Sequence, residues 1–401
     1  MSQFAVRAAA CALALAMAGV LTPAHAQSRY TLTTLKTASN LPAQPLRIDS
    51  QGNVVGGAPF AFGTGNLTQG KIGVRVVGTW GMEYRQAPSR WPAGSVASVS
   101  PTRSGKLWGV PAAVSPDGSK FALGLDVYAM ATGKLWGPAA MPSLPDVQGT
   151  QVSSIELPGL HALLDDGSLL LNYTLNAPSG LRRGLGLWQG STHGTSLFEQ
   201  AGGGIHGEAL VSPTVALGWT RLPDDRALHG TVWFNGEQRV FDTRTDASTE
   251  PLRANSQGMI LMCQRPLTAP TPAYLDGGRP VISINLQTVE VAPLNAGDAV
   301  SARGLNERGI VVGASGPVVK VSQLSGQPTP CSDTTPLTSR AIIWQDGQTQ
   351  DLNAWVAARG LTLPAGSVLA EAIDINANNS ILAVLRSANG SLSHVRLNAE
   401  P

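Results

Sequence analysis

The sequence predicts an all-β fold, a β-propeller-like array of about six to seven repeated antiparallel hairpin units. Three observations predict it: a turn motif that recurs along the chain, a Trp-bearing turn between several of its copies, and an unusual composition. The 401 residues include 45 Gly and 28 Pro, and only 13% are charged. Low charge with many turn formers suits short strands better than long helices, whose exposed faces are ordinarily charged. Disorder also combines low charge with Gly and Pro, but 43% of the residues are hydrophobic and recur in short clusters able to form a core.

The turn motif is an apolar residue, usually a small polar one, two turn formers, Gly or Asn, and then a β-favouring run. Its copies are Ile48-Asp49-Ser50-Gln51-Gly52, Val114-Ser115-Pro116-Asp117-Gly118, Leu163-Leu164-Asp165-Asp166-Gly167, Ala254-Asn255-Ser256-Gln257-Gly258, Leu305-Asn306-Glu307-Arg308-Gly309 and Ile375-Asn376-Ala377-Asn378-Asn379. Pro or a small polar residue suits the centre of a tight turn, and Gly or Asn tolerates the left-handed position that closes it. Asn379, standing where the others have Gly, fits this reading because Asn is the commonest non-Gly visitor to that conformation. Gly56, Gly124 and Gly313, after the second strand, are expected to mark a bulge or close backbone packing.

The second element is a strand that carries Trp into a turn: Leu187-Trp188-Gln189-Gly190, Val232-Trp233-Phe234-Asn235-Gly236 and Ile343-Trp344-Gln345-Asp346-Gly347. Tyr274-Leu275-Asp276-Gly277 and Arg90-Trp91-Pro92-Ala93-Gly94 are weaker copies. Repetition at one motif position favours a packing role, since a stacking site for a ligand needs its aromatics at one place. The turn markers lie roughly 50 to 70 residues apart, with one gap of about 90 that holds two units. Val211-Ser212-Pro213-Thr214 is expected to be a decayed copy inside that gap. Units of this length, each supplying about four short strands, suit a propeller. An open β-solenoid and a pair of β-sandwiches are the rival architectures. A local duplication, Gly105-Lys106-Leu107-Trp108-Gly109 and Gly133-Lys134-Leu135-Trp136-Gly137, fits either equivalent strands or an inserted loop.

Residues 1–26 read as a secretory signal: Arg7 near the start, an apolar run from Ala8 to Leu21, and the small-residue site Ala24-His25-Ala26. Cleavage before Gln27 leaves residues 27–401 as a single repeat domain, periplasmic or secreted, with no stable membrane span. The formal net charge of +2 gives no broad basic field, which disfavours nucleic-acid binding. Of the three cysteines Cys11 leaves with the signal, so a Cys263–Cys331 disulfide is expected in an oxidising compartment, two buried thiols being the alternative.

The paired elements resemble the HAF-repeat extracellular proteins of bacteria. The resemblance is carried by Ala302-Arg303-Gly304-Leu305-Asn306 through Gly313, by Arg340-Ala341-Ile342-Ile343-Trp344-Gln345-Asp346-Gly347 with Asp351-Leu352-Asn353, and by Ala372 through Leu397. The name-giving His-Ala-Phe is replaced by Arg340-Ala341-Ile342. The resemblance implies export and a propeller-like repeat, and supplies no catalytic residues.

The chemistry-bearing residues are sparse. His161, His193, His206, His229 and His394 form no His-x-x-x-His pair for zinc. His206-Gly207-Glu208 supplies at most two ligands, and a Gly-rich surface loop is the simpler reading. Asp165-Asp166 and Asp224-Asp225 are adjacent carboxylates and read as turn formers, not as the two groups across a cleft that glycoside hydrolysis needs. No Gly-x-Ser-x-Gly elbow, calcium loop or phosphate-binding loop is present. Gly202-Gly203-Gly204 reads as a flexible turn. The sequence therefore assigns no catalytic, cofactor-binding or metal-ligating residue. It favours a monomeric binding or structural module that meets a protein or polysaccharide partner through loops near residues 60–110 and 314–340, over a hydrolase or lyase acting from the propeller axis.

Overall fold

A computed structural model describes residues 29–37, 43–67, 78–99, 109–136, 151–178, 180–190, 194–201, 204–222, 225–242, 244–267, 278–284, 287–317 and 337–400. The signal segment, His193, residues 105–108 of the duplicated Gly-Lys-Leu-Trp-Gly segment, the Tyr274 turn and Cys331 lie outside them. At every copy of the turn motif the marker residue takes a positive φ: 82° at Gly52, 64° at Gly118, 95° at Gly167, 78° at Gly258, 76° at Gly309 and 64° at Asn379. Each turn returns the chain antiparallel, and seven small sheets result.

The first strand, β1 (Arg29–Thr34), is set aside for the end of the chain. Blade 1 holds β2 (Gln44–Ile48), β3 (Val54–Leu67) and β4 (Gly78–Trp91), and blade 2 holds β5 (Ala113–Val114), β6 (Lys120–Leu123), β7 (Asp126–Ala129) and β8 (Gly133–Trp136). Blade 3 holds β9 (Gln151–Glu156), β10 (Leu169–Ala177), β11 (Gly180–Trp188) and β12 (Gly194–Ala201). Blade 4 holds β13 (Gly204–Ser212), β14 (Val215–Arg221), β15 (His229–Phe234) and β16 (Glu237–Val240). Blade 5 holds β17 (Ala247–Ala254), β18 (Ile260–Pro266), β19 (Arg279–Ile284) and β20 (Gln287–Glu290). Blade 6 holds β21 (Ala299–Leu305), β22 (Val311–Gly316), β23 (Arg340–Gln345) and β24 (Gln348–Asp351), followed by the short helix α1 (Leu352–Ala357). Blade 7 holds β25 (Val368–Ile375), β26 (Ile381–Arg386) and β27 (Leu392–Glu400), and its fourth strand is β1, antiparallel to β27.

The chain is therefore a seven-bladed β-propeller whose last blade is completed by its first strand. The decayed Ser212-Pro213-Thr214 turn is the hairpin of blade 4. Hydrophobic clusters lie between successive blades: Ile48, Val54 and Trp91 meet Leu382 at the junction of blades 7 and 1, and Leu261 and Ile282 meet Val300 and Val311 at that of 5 and 6. Such an arrangement lets units too thin to hold a core alone share one around the ring.

The inner strands of blades 1, 4, 5, 6 and 7 each carry a bulge, at Leu46, Glu208, Leu252, Arg303 and Ile373. Here lies the reason for two of the three expected glycines. A Cβ on Gly313 would sit 1.9 Å from the Ser301 carbonyl oxygen, and one on Gly56 would sit 2.3 Å from that of Gln44. Gly218 of blade 4 belongs with them, 1.9 Å from the His206 oxygen. Gly124 does not: its φ is 56° and it serves a turn.

Trp91, Trp188, Trp233 and Trp344 all stand on the third strand of a blade and are at most 2% exposed. They pack between blades, as repetition at one motif position required. The indole N–H of Trp91 donates to the Lys36 carbonyl at 2.9 Å, whereas those of Trp188, Trp233 and Trp344 have no acceptor among the described residues. Trp344→Ala is expected to cost about 4 kcal/mol in urea unfolding through the cavity it leaves. Trp344→Phe, which also removes the unsatisfied N–H, is expected to cost about 1 kcal/mol.

The expected disulfide must be corrected. No two Sγ atoms lie at bonding distance among the described residues, so the Cys263–Cys331 bridge is not part of the fold described. Cys263 is wholly buried on β18 between Glu250 and Pro280 in the strand register, a place that suits a small apolar residue.

Candidate functional site

The turns at one end of the ring are tied to one another by the polar residue of the motif. In blade 6, Asn306 Oδ1 accepts from the Arg308 and Ile310 N–H groups at 3.0 Å each, capping its own turn. Its Nδ2 then donates to the Asn376 carbonyl of blade 7 at 3.1 Å. Asn255 does the same towards Asn306 at 3.0 Å, and Asn376 towards Asp49 of blade 1 at 2.7 Å. The chain of contacts runs from blade 5 to blade 1. Beyond it Ser115 and Leu164 offer no amide. There Arg47 reaches the Val114 carbonyl at 2.8 Å, and the Asp117 N–H donates to Asp165 Oδ1 at 2.8 Å. Asp165 is thus a turn residue, and Asp166 caps Ser168 at 2.7 Å. Asp225 accepts from the Ala227 N–H and meets His229 Nε2, both at 2.8 Å; the buried His229 also contacts the Asp242 carbonyl at 3.0 Å. Asp224 lies outside the described residues.

Just inside these turns, charged side chains meet on the propeller axis. Arg47, Arg253 and Asp374 each stand five residues before the turn marker, on the inner strands of blades 1, 5 and 7. Arg253 Nη1 pairs with Asp374 Oδ1 across blade 6, a contact between non-neighbouring blades that only the axis permits. Asp374 Oδ2 also accepts from the Ile48 N–H at 2.9 Å. Burial, and then the positive charge of Arg253, brings Arg47 down to about 10. His161 of blade 3 is held well below its ordinary value by burial and by the two arginines, so its imidazole is neutral.

Nearer the starts of the inner strands lies a second layer. His206 stacks on Trp219 with ring centroids 5.3 Å apart and planes 14° from parallel, and its Nε2 lies 3.5 Å from Glu208 Oε1. Asn172 of blade 3 supports this corner, its Oδ1 accepting from the Gly207 N–H at 2.7 Å. Glu250 pairs with Arg265 at 2.7 Å, and Glu371 with Arg303. The Glu208 carboxyl is pushed up to about 8 by burial first and then by Glu250 and Glu156, against the opposing Trp219 hydrogen bond and Arg265. Solvent still reaches it, for its side chain is 28% exposed.

Of the residues considered from the sequence, the structure places His206 and Glu208 side by side on β13 and His161 in the deeper layer. Arg47, Arg253, Asp374, Glu250 and Arg265 were not singled out there. Among the described residues no group of three or more His, Cys, Asp or Glu is arranged to hold a metal ion, and no helix is long and apolar enough to cross a membrane.

The fold and the axis together define the class: a seven-bladed propeller with charged side chains meeting at its axis. Compared with known proteins, the sequence matches no family model and no curated protein.

The Glu208 shift has a measurable consequence. An unfolded glutamate titrates near 4.5, so a folded value near 8 gives stability that is fully present below the lower value and lost as pH rises through the upper one. His206, whose value is lowered, acts with the opposite sign below neutrality, as does His394 at about 4. Above pH 7 the Glu208 contribution stands alone among these groups. The melting temperature of the wild type is expected to fall relative to Glu208→Gln between pH 7 and 9, and parallel curves would show that the carboxyl ionises normally.

Proposed function

We propose that the protein is an exported, monomeric binding module that takes a ligand at the propeller axis, with loops of one face meeting a protein or polysaccharide partner. One observation carries the axial assignment: charged side chains from blades 1, 5 and 7, with an imidazole from blade 3, converge there. Buried charge is costly to fold around, and a cluster of it in a channel marks a functional place. The connections from second to third strand, residues 68–77 in blade 1 and 317–339 in blade 6, leave on the face where the inner strands begin, which supports the partner surface expected near residues 60–110 and 314–340.

Export to the periplasm or medium is read from residues 1–26, and a single domain from residues 27–401. Kinship with the HAF-repeat proteins is part of the same proposal. It is supported by the Asn turns of blades 5, 6 and 7, which recur where the resemblance lies.

The test is a thermal-shift screen of the purified chain against small anions, cations and neutral sugars. The reading expects at least one class to raise the melting temperature in a saturable way, and to lose that rise in Arg253→Met. A flat response to every class would remove it.

A second reading, a hydrolase or lyase acting from the axis, is favoured by one observation: Glu208 holds a proton near neutral pH beside His206 and so has the form of a general acid. Turnover of an oligosaccharide or lactone that is lost in Glu208→Gln would establish it in place of simple binding.

A further inference from the structure

The deeper axial layer brings two cations within reach of each other. Arg253 pairs with Asp374, Arg47 feels Asp374 and, from the neighbouring turns, Asp165 and Asp117, and His161 is neutral. Arg47 is only 8% exposed and forms no ion pair among the described residues. Among the described residues, of its five N–H donors those of Nη1 alone meet a protein acceptor, the Val114 carbonyl. Arg253 likewise uses only Nη1 among them, on Asp374. None of the remaining guanidinium nitrogens is both fully buried and without a partner.

The equivalent positions on blades 2, 3, 4 and 6 are Ala113, Ala162, Ala209 and Gly304, so those blades add no charge at this level. A purely structural tether needs one donor to the Val114 carbonyl, which the amides of the other turns supply without any buried charge. Two guanidiniums that repel each other across an axis lined by small residues need a different account.

We propose that this layer binds a small oxyanion, the carboxylate or phosphate group of a small molecule, between the guanidiniums of Arg47 and Arg253, with His161 as a further hydrogen-bond partner. Planar guanidiniums with adjacent donors match the paired oxygens of such a group. The inference rests on the axial-binding reading above and names its ligand class.

Calorimetric titration of the full chain with sodium acetate and, separately, sodium phosphate is the test, at constant pH and with ionic strength held by sodium chloride. Saturable binding of either, with a matching rise in melting temperature, is the result expected; the stronger of the two identifies the group. Arg47→Met is expected to weaken binding about ten-fold or more, the scale for losing one charged hydrogen-bond partner. Arg221→Met, at an exposed arginine of blade 4, should leave it unchanged. If Arg47→Met does not fold, Arg253→Met takes its place, and the wild-type titration decides by itself whether binding is saturable. Heats no different from those of chloride, or full affinity in Arg47→Met, would overturn the inference. A neutral sugar that binds where both anions fail would overturn it while leaving the axial-binding reading standing.

Discussion

Arg396→Ala is expected to lower the free energy of unfolding by about 4 kcal/mol. Arg396 is wholly buried on β27, where its guanidinium crosses the junction between the last blade and the first. Nη1 donates to the carbonyls of Gly52 at 2.9 Å and Pro92 at 3.0 Å, and Nη2 to that of Ser95 at 3.3 Å. Burial pulls its pKa down, and Asp49 opposes this. Truncation takes this donor from the Gly52 and Ser95 carbonyls, leaves Pro92 with the Ser95 N–H alone, and opens a cavity at the junction of blades 7 and 1. The loss is expected to appear in hydrogen exchange as faster exchange of β1 and β2 amides before those of blades 3 and 4. Arg239→Ala, which breaks a pair with Glu237 at the surface, is expected to change stability by less than about 0.5 kcal/mol.

Asn306→Ala is expected to cost about 3 kcal/mol, since it strips two N–H groups of their acceptor within its own turn and removes one of the two donors to the Asn376 carbonyl in the next blade. Asn306→Asp separates the two roles. The carboxylate still caps the turn but cannot donate, and it faces the Asn376 carbonyl and Asn379 Oδ1 at close range. A cost for Asn306→Asp close to that of the alanine change would assign most of the stabilisation to the contact between blades. A near-neutral effect would assign it to the turn. Urea unfolding of the three proteins decides between them.

The positive-φ turns were legible in the sequence because their requirement is local: Gly or Asn at a fixed offset closes each hairpin, and Asn379 obeys the rule as Gly309 does. The packed tryptophans were legible for the same reason, one residue at one motif position. Blade 4 was hardest to see because its turn has lost the marker and keeps only Ser212-Pro213-Thr214. The polar residue of the motif was read as a turn former, which is half of its work; donation to the next blade has no local signature. The axial residues are further removed still. Arg253 and Asp374 are 121 positions apart in sequence and touch only because the ring closes. Arg47, Arg253 and Asp374 nevertheless share one offset from the turn marker, and the small residues at that offset in the other blades are the trace a sequence comparison between blades would find. His206 and Glu208 were noticed as a metal-ligand pair, and the structure gives them a different setting, beside Trp219 and in contact with each other.

If the axis is built by charge to receive a small oxyanion, a crystal structure of the chain soaked in sodium selenate tests it most directly, because the anomalous scattering of selenium locates each selenate without assumption. A selenium peak is expected on the axis with its oxygens within hydrogen-bonding reach of Arg47 and Arg253, absent from crystals of Arg47→Met. Selenium peaks confined to the outer surface, or an Arg47 guanidinium already paired with a carboxylate of the protein, would contradict it.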